Sequence, residues 1–446
     1  MSAKRDSALY SAAFVLPRLP GFLLLPAYAA VLSLGDMGRL ATCWIFIDLF
    51  QTLAGLGMKQ ALGRYFPLAE GERRRRETLS AAVLGSIAGG ALAAGLATAV
   101  FALPAFRGRI HFLAEIDSRL FAYLLLASML GNLSSTLVLY FRAQRKAGAY
   151  FVAGCLGMLL ELGAAGTLLL LGKISLGNLL AVECLKQGAT LAFVAWHGRA
   201  DLRPAWARET WTPMVRYGLW LVPVGLCEWI ALSSDRFWLG QLAGMGSVGV
   251  YGFFGKFAAP LAVLYTGGIM EFHSQVYFMR GEEGLEFTRG RLEAYLVRAG
   301  ALSLAAAALF PVGVHLAARY WPAFPTAYLP GVKVFPLLIA AGFVVFWGKY
   351  YGTVLEYQYR TRAVLVSLGL GAAAGALLAP LLIRASLILG LDVLAGAAVS
   401  LLLACLSATV AMGGMARLGG GGIQAAKGGA VVAGCLVCYL ALWAFG

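Results

Sequence analysis

Apolar residues in this chain do not alternate with polar ones at a strand period, nor do they recur every third or fourth position as a stripe. They run on in long unbroken blocks. A helix needs about 20 apolar residues to cross a hydrocarbon core of roughly 30 Å. Blocks of that length lie near 8–33, 39–67, 78–103, 118–140, 149–172, 174–197, 213–240, 246–273, 292–318, 331–356, 363–386, 388–413 and 428–445. The pattern predicts thirteen spans and an all-α, polytopic membrane protein. The opening "MSAKRDSALY" leads straight into the first block, with no A-x-A site behind a short apolar region, so a span is expected rather than a cleaved signal. The connecting loops are short and leave no room for an extramembrane catalytic domain.

Composition agrees with this reading. Of 446 residues, 60% are hydrophobic and 13% charged, where a soluble domain carries about 25% charged residues. Mean hydropathy is +0.78. The net charge of +15 is read by location, because membrane proteins concentrate Lys and Arg on cytoplasmic loops. With the N-terminus inside, alternate loops carry nineteen cations against eight on the other side, including Lys4, Arg5, the run Arg73 to Arg76, Arg142, Arg145 and Lys146. The bias predicts a multi-pass membrane protein with a cytoplasmic N-terminus. No solvated basic segment is long enough for a nucleic-acid-binding domain, so no nucleic-acid partner is expected.

A repeat is visible. "GMKQALGRYFPLAEGE" (57–72) closes the second block and "IMEFHSQVYFMRGEEG" (269–284) closes the eighth, with Met58, Tyr65, Phe66 and Glu70 matching Met270, Tyr277, Phe278 and Glu282 at a constant offset of 212. "LGDMGRLATCWIF" and "LAGMGSVGVYGFF" correspond just upstream. Such duplications occur in transporters whose site lies between the two halves. The expected organisation is a six-helix lobe at 1–200, a second at 201–413 around a central cavity, and an additional C-terminal segment at 414–446.

Ionisable residues inside the blocks carry the chemistry. A charge at a helix centre costs about 2.5–3.5 kcal/mol on insertion scales, so it faces a cavity or a partner. Arg18 sits in "LPRLPGF" between Pro17 and Pro20, with Pro26 following; prolines here predict a broken, cavity-lining first span. Lys256 lies deep in the eighth block. Neither cation has an acidic residue three or four positions away on its own helix, which points to an anionic ligand such as a phosphate or diphosphate. Glu183 and Lys186, three apart, are expected to neutralise each other. Asp48, Glu161 and Glu228 either pair with cations of neighbouring helices or couple transport to a proton or sodium gradient. Lys349 is expected to snorkel to the membrane surface. Asp235 and Arg236 are placed near the outer end of the seventh span, as gate or plain surface. Arg64 lies just inside the boundary, while Arg73 to Arg76 read as a topology anchor touching anionic lipid head groups.

Other chemistries find no support in the sequence. "GVYGFFGKF" has a Gly-Lys pair but the wrong spacing for a phosphate-binding loop, and Phe257 stands where Ser or Thr is required. The four histidines are scattered, and Cys435 and Cys438 lie in an apolar run without a second pair, so no metal site and no cofactor are expected. The chain is read as a transporter and not an enzyme.

"SSDRFWLGQLAGMGSVGVYGFFGKFA" (233–258) resembles the signature of polysaccharide-export flippases, the Wzx-like branch of the multidrug/oligosaccharidyl-lipid/polysaccharide (MOP) exporter superfamily. Ser233, Asp235, Arg236, Phe237, Leu239 and Gly240 fit its S-x-D-R-F-x-L-G element, and Gly249, Tyr251 and Lys256 fit the following G-x-Y-x-x-x-x-K. "LPRLPGFLLLPAYAAVLSLGDMGRLA", "GLGMKQALGRYFP" and "DVLAGAAVSLL" are similar to further elements of that family. The family usually has twelve or fourteen helices, so the thirteenth block departs from its pattern. The resemblance implies a two-lobed bundle that moves an undecaprenyl-diphosphate-linked oligosaccharide from the inner to the outer leaflet by alternating access, for polysaccharide biosynthesis. It implies head-group binding by Arg18 and Lys256, with Arg64 and Arg236 as weaker candidates. Partners would be the lipid-linked oligosaccharide, membrane lipids and a polysaccharide polymerase or other assembly proteins. Two alternatives stay open: a peptidoglycan-precursor flippase, and a cation-coupled multidrug exporter of the MATE-like kind, which the acidic Asp48, Glu161 and Glu228 would suit.

Overall fold

The computed structural model describes residues 9–445 except 10–11, 14, 145, 200, 203, 276–280, 322–323, 358–359 and 417–420; the side chains at 106, 260, 262–293, 353, 356–357, 421–425 and 445 are also outside the description. Helices are the only regular secondary structure among the described residues, with no strand among them. Ten of their helices are long and apolar enough to cross a membrane, and an eleventh span is formed if the bent pair Leu34–Gly55 and Met58–Tyr65 counts as one. The chain is a multi-pass membrane protein. The second copy of the repeat, at 269–284, falls on undescribed side chains, as do Lys4, Arg5, Arg145, Arg203, Arg280, Arg289 and Arg291.

Prolines break the first block as their chemistry requires, since each removes a backbone donor and crowds the preceding turn. The segment is a 3-10 turn Leu16–Arg18, a short helix Leu19–Leu23 and a helix Leu25–Val31, with prolines at 17, 20 and 26. The second block, expected as one span, is broken too. Leu56 and Gly57 both take positive φ, and the helix axis turns by 54° between Gly55 and Met58. A Cβ on Gly57 would lie 2.3 Å from the carbonyl oxygen of Gly218, and one on Gly218 would lie 2.4 Å from that of Leu56. Two backbones in contact hold this bend.

Contacts divide the chain into two compact units. The first comprises 1–20 and 42–226, the second 21–41 and 227–446. In the first unit, helix Gly71–Ala102 buries Gly85, Gly89, Ala93 and Ala97, one residue in four, and exposes Leu84, Leu92 and Leu96. Small residues let helices approach while leucines face lipid, because lipid gives apolar residues no reason to turn inward. Polar contacts join the same helices: Asn132 donates to the Ser86 carbonyl at 3.3 Å, and Ser86 bonds Thr136 at 3.3 Å. Helix Ser118–Ala143 is capped by Asp117, which accepts from the Leu120 amide at 2.7 Å.

The second unit packs around aromatic residues of helices Met245–Gln275 and Phe335–Tyr357, with Phe310 and Phe335 stacked at 4.0 Å and Phe253 against Tyr328 at 4.5 Å. Helix Leu34–Gly55 begins in this unit. Its Gly38 lies so close to the next partner that a Cβ would sit 1.8 Å from the Met245 carbonyl oxygen, while a Cβ on Gly249 would sit 2.1 Å from that of Leu34. Gly249 of the quoted signature is thus a packing residue.

Candidate functional site

The first unit assembles a cationic group from five separate elements. Arg18 ends the 3-10 turn Leu16–Arg18, and its side chain is exposed. It stands in the electrostatic field of Asp48, on helix Leu34–Gly55, and of Tyr150, in the opening turn of helix Ala147–Leu170. Lys59, also exposed, lies in the first turn of Met58–Tyr65, directly after the glycine-held bend. It feels both Arg18 and Arg142, the latter in the last turn of Ser118–Ala143. Tyr150 is within reach of Arg18 and Arg142 alike. Among the described residues this region brings together the cations Arg18, Lys59 and Arg142, with the Asp48 carboxylate beside Arg18.

Sequence reading singled out Arg18 and Asp48 but missed Lys59 and Arg142. Lys59 lies near the end of an apolar block, where a lysine reads as snorkelling, and Arg142 reads as a loop charge. Only the bend at Leu56 and Gly57 brings Lys59 towards Arg18.

The remaining candidates of this unit are elsewhere. Glu161 shares Lys186 with Glu183, at 2.9 Å and 2.5 Å respectively. Gln187 donates to Glu183 at 2.8 Å, and Ser134 donates to Gln187 at 2.6 Å. The expected i,i+3 pair is present, joined by a third charge from the preceding helix. Arg64 holds its guanidinium over the ring of Tyr217, 4.6 Å from the centroid, a cation–π contact that fits a half-buried arginine.

In the second unit Glu228 receives Lys349 Nζ at 2.5 Å. Lys349 therefore has a carboxylate partner across helices instead of snorkelling alone. Asp235, expected at a surface or gate, is buried and accepts a hydrogen bond of 2.6 Å from the buried Tyr251 hydroxyl. Arg236 turns back to donate to the Leu232 carbonyl at 2.8 Å and lies 3.8 Å from the Asp235 carboxylate. The Asp and Tyr of the signature brace the helices Arg208–Ala243 and Met245–Gln275. Lys256 lies half-buried on the latter helix.

Solved structures show that this bundle of apolar helices has the fold of membrane transporters. The chain is similar to the outward-facing conformation of a multidrug resistance MATE family transporter of the MOP superfamily, at 15% identity and TM-score 0.65, over 93% of this chain and 95% of that one. It is equally similar to an inward-facing conformation, at 15% identity and TM-score 0.65, over 92% and 94%. A MOP superfamily transporter from Pyrococcus furiosus, described as having a binding pocket of reversed polarity that suggests a different function, matches at 15% identity and TM-score 0.65 over 93% and 95%. No curated protein is similar enough to count as a match. The sequence profile described as "Polysaccharide biosynthesis protein" matches residues 3–272, and the chain belongs to that family. The family resemblance read from the 233–258 signature is borne out.

Proposed function

We propose that this protein is a flippase carrying an undecaprenyl-diphosphate-linked oligosaccharide from the inner to the outer leaflet of the bacterial cytoplasmic membrane. The observation that carries the reading is the cluster of Arg18, Lys59 and Arg142 around the proline-broken first segment. Fixed cations inside a membrane protein are costly, and a diphosphate, with several acceptor oxygens and more than one negative charge, suits them. Arg18 is the leading head-group contact and Lys59 its partner. Lys256 enters on its depth in the signature helix, with Arg64 and Arg236 as secondary contacts.

The multidrug reading is weaker on the same observations. An organic cation needs available carboxylates, yet Glu161 is bound to Lys186, Glu228 to Lys349, and Asp48 stands beside the Arg18 cation. The cations of the cluster repel a cationic drug. Alternating access suits a fold that relatives present in both outward- and inward-facing forms. Coupling to a proton or sodium gradient is assigned to Asp48, the carboxylate next to Arg18, with Glu161 second and Glu228 third. A polymerase or other assembly protein that takes the flipped unit is the expected partner.

The test is genetic and chemical. Deleting the gene should trap a lipid-linked glycan on the inner leaflet, and extraction identifies it. Accumulation of the peptidoglycan precursor instead would favour that rival, and no accumulation of any prenyl-diphosphate glycan would refute both.

A further inference from the structure

At one end of the first unit, the ends of four helices enclose a pocket of about 480 Å³. The run Arg73 to Arg76 is divided there by the helical turn. Arg75 and Arg76 line the pocket, whereas Arg73 reaches Glu77 at 3.0 Å with its own side chain almost fully exposed. Lys146, just ahead of helix Ala147–Leu170, supplies a third cation.

Two carboxylates share the pocket, and both are occupied. Asp201 accepts from the hydroxyl of Tyr140 and from Gln144. Glu72 makes a 3.3 Å contact to one terminal nitrogen of Arg76 and is mostly exposed. The Arg76 Nε is buried and has no hydrogen-bond partner among the described residues. Arg75 spends one nitrogen on the Ala69 carbonyl at 3.2 Å. Among the described residues, no carboxylate pairs with Arg75 or Lys146, and both side chains are exposed.

Three cations and two carboxylates leave a local charge of +1. That matches a phosphodiester, which carries one negative charge, better than a diphosphate. Position gives the source. Helices Gly71–Ala102, Ser118–Ala143 and Ala147–Leu170 each pass the span criterion, so their shared end lies at the membrane–water boundary. Phe66 and Pro67 form an apolar wall beside the charges, suited to a glycerol backbone and the start of an acyl chain.

We propose that this pocket, whose lining includes none of Arg18, Lys59 and Arg142, is a binding site for the phosphodiester head group of an anionic membrane lipid, independent of what the protein transports. Arg75, Arg76 and Lys146 hold the phosphate, and the Tyr140–Asp201–Gln144 network fixes the rim.

The experiment is native mass spectrometry of the full-length protein released from nanodiscs containing equal phosphatidylglycerol and phosphatidylcholine. The wild type should retain phosphatidylglycerol preferentially. Arg75→Gln with Lys146→Gln should lower that retention roughly tenfold, while the equal-charge control Arg73→Gln with Arg74→Gln, outside the pocket, lowers it markedly less. Each single variant, Arg75→Gln and Lys146→Gln, should show a part of the loss. Equal retention by the pocket variants, or equal loss in the control pair, overturns the site. Displacement of the lipid by millimolar inorganic phosphate overturns the assignment to a lipid and makes the pocket one for soluble phosphate.

Discussion

Tyr251 donates a 2.6 Å hydrogen bond to the carboxylate of Asp235, and both side chains are buried. The two lie sixteen residues apart, on consecutive helices, within the stretch that first pointed to the family. The bond stabilises a carboxylate that has little else: Asp235 Oδ1 has no hydrogen-bond partner among the described residues. Tyr251→Phe should lower stability by about 1–3 kcal/mol, the cost of a buried acceptor left unsatisfied. Thermal unfolding in detergent measures it. Asp235→Asn in the Tyr251→Phe background should recover part of the loss, because no charge then remains buried.

Lys186 stands between Glu161 and Glu183. Replacing it by Met leaves two carboxylates together inside the membrane, and breaking a buried charge group of this kind costs about 3–5 kcal/mol. The yield of monodisperse protein should collapse for Lys186→Met and be partly restored by adding Glu183→Gln. Indifference to Lys186→Met would show that the triad is not structural.

The crossing at Gly38 admits no side chain, since a Cβ would meet the Met245 carbonyl oxygen at 1.8 Å. Gly38→Ala should abolish accumulation of folded protein, whereas Gly21→Ala, with nothing within 4 Å, should be tolerated. Fluorescence-detected size exclusion of tagged variants distinguishes the two.

If Asp48 couples transport to an ion gradient, Asp48→Asn should uncouple export from it. Wild-type export should fall when proton and sodium gradients are collapsed, and the variant should be slow and insensitive to both. Wild-type export that persists without either gradient rules coupling out.

Long apolar blocks made the helical, membrane-spanning fold legible, because crossing a bilayer demands length and hydrophobicity that no other fold demands. The proline-broken first segment was legible for the same reason: Pro17, Pro20 and Pro26 act locally. The bend at Leu56 and Gly57 was not. It depends on Gly218, more than 150 residues later, and a single sequence does not reveal which glycines face one another. The site divides likewise. Arg18 and Asp48 stood out as charges in apolar blocks, and the Glu183–Lys186 pair followed from spacing. Lys59 and Arg142 did not, since a cation near a block end looks the same whether it faces water, lipid head groups or another cation. Asp235 looked interfacial in the sequence because only tertiary packing buries it.

Reconstitution shows whether the purified protein flips a diphosphate-linked lipid by itself. Purified protein is placed in proteoliposomes carrying a fluorescent undecaprenyl-diphosphate-linked oligosaccharide, and an external glycosidase reports which molecules reach the outer leaflet. With a proton or sodium gradient imposed across the vesicle membrane, wild-type protein should make nearly all of the substrate accessible. Arg18→Ala and Lys59→Ala should each slow the process at least tenfold, about 1.4 kcal/mol or more in the barrier, while remaining folded. Accessibility no greater than in protein-free liposomes, or full activity in both variants, would contradict the proposed function.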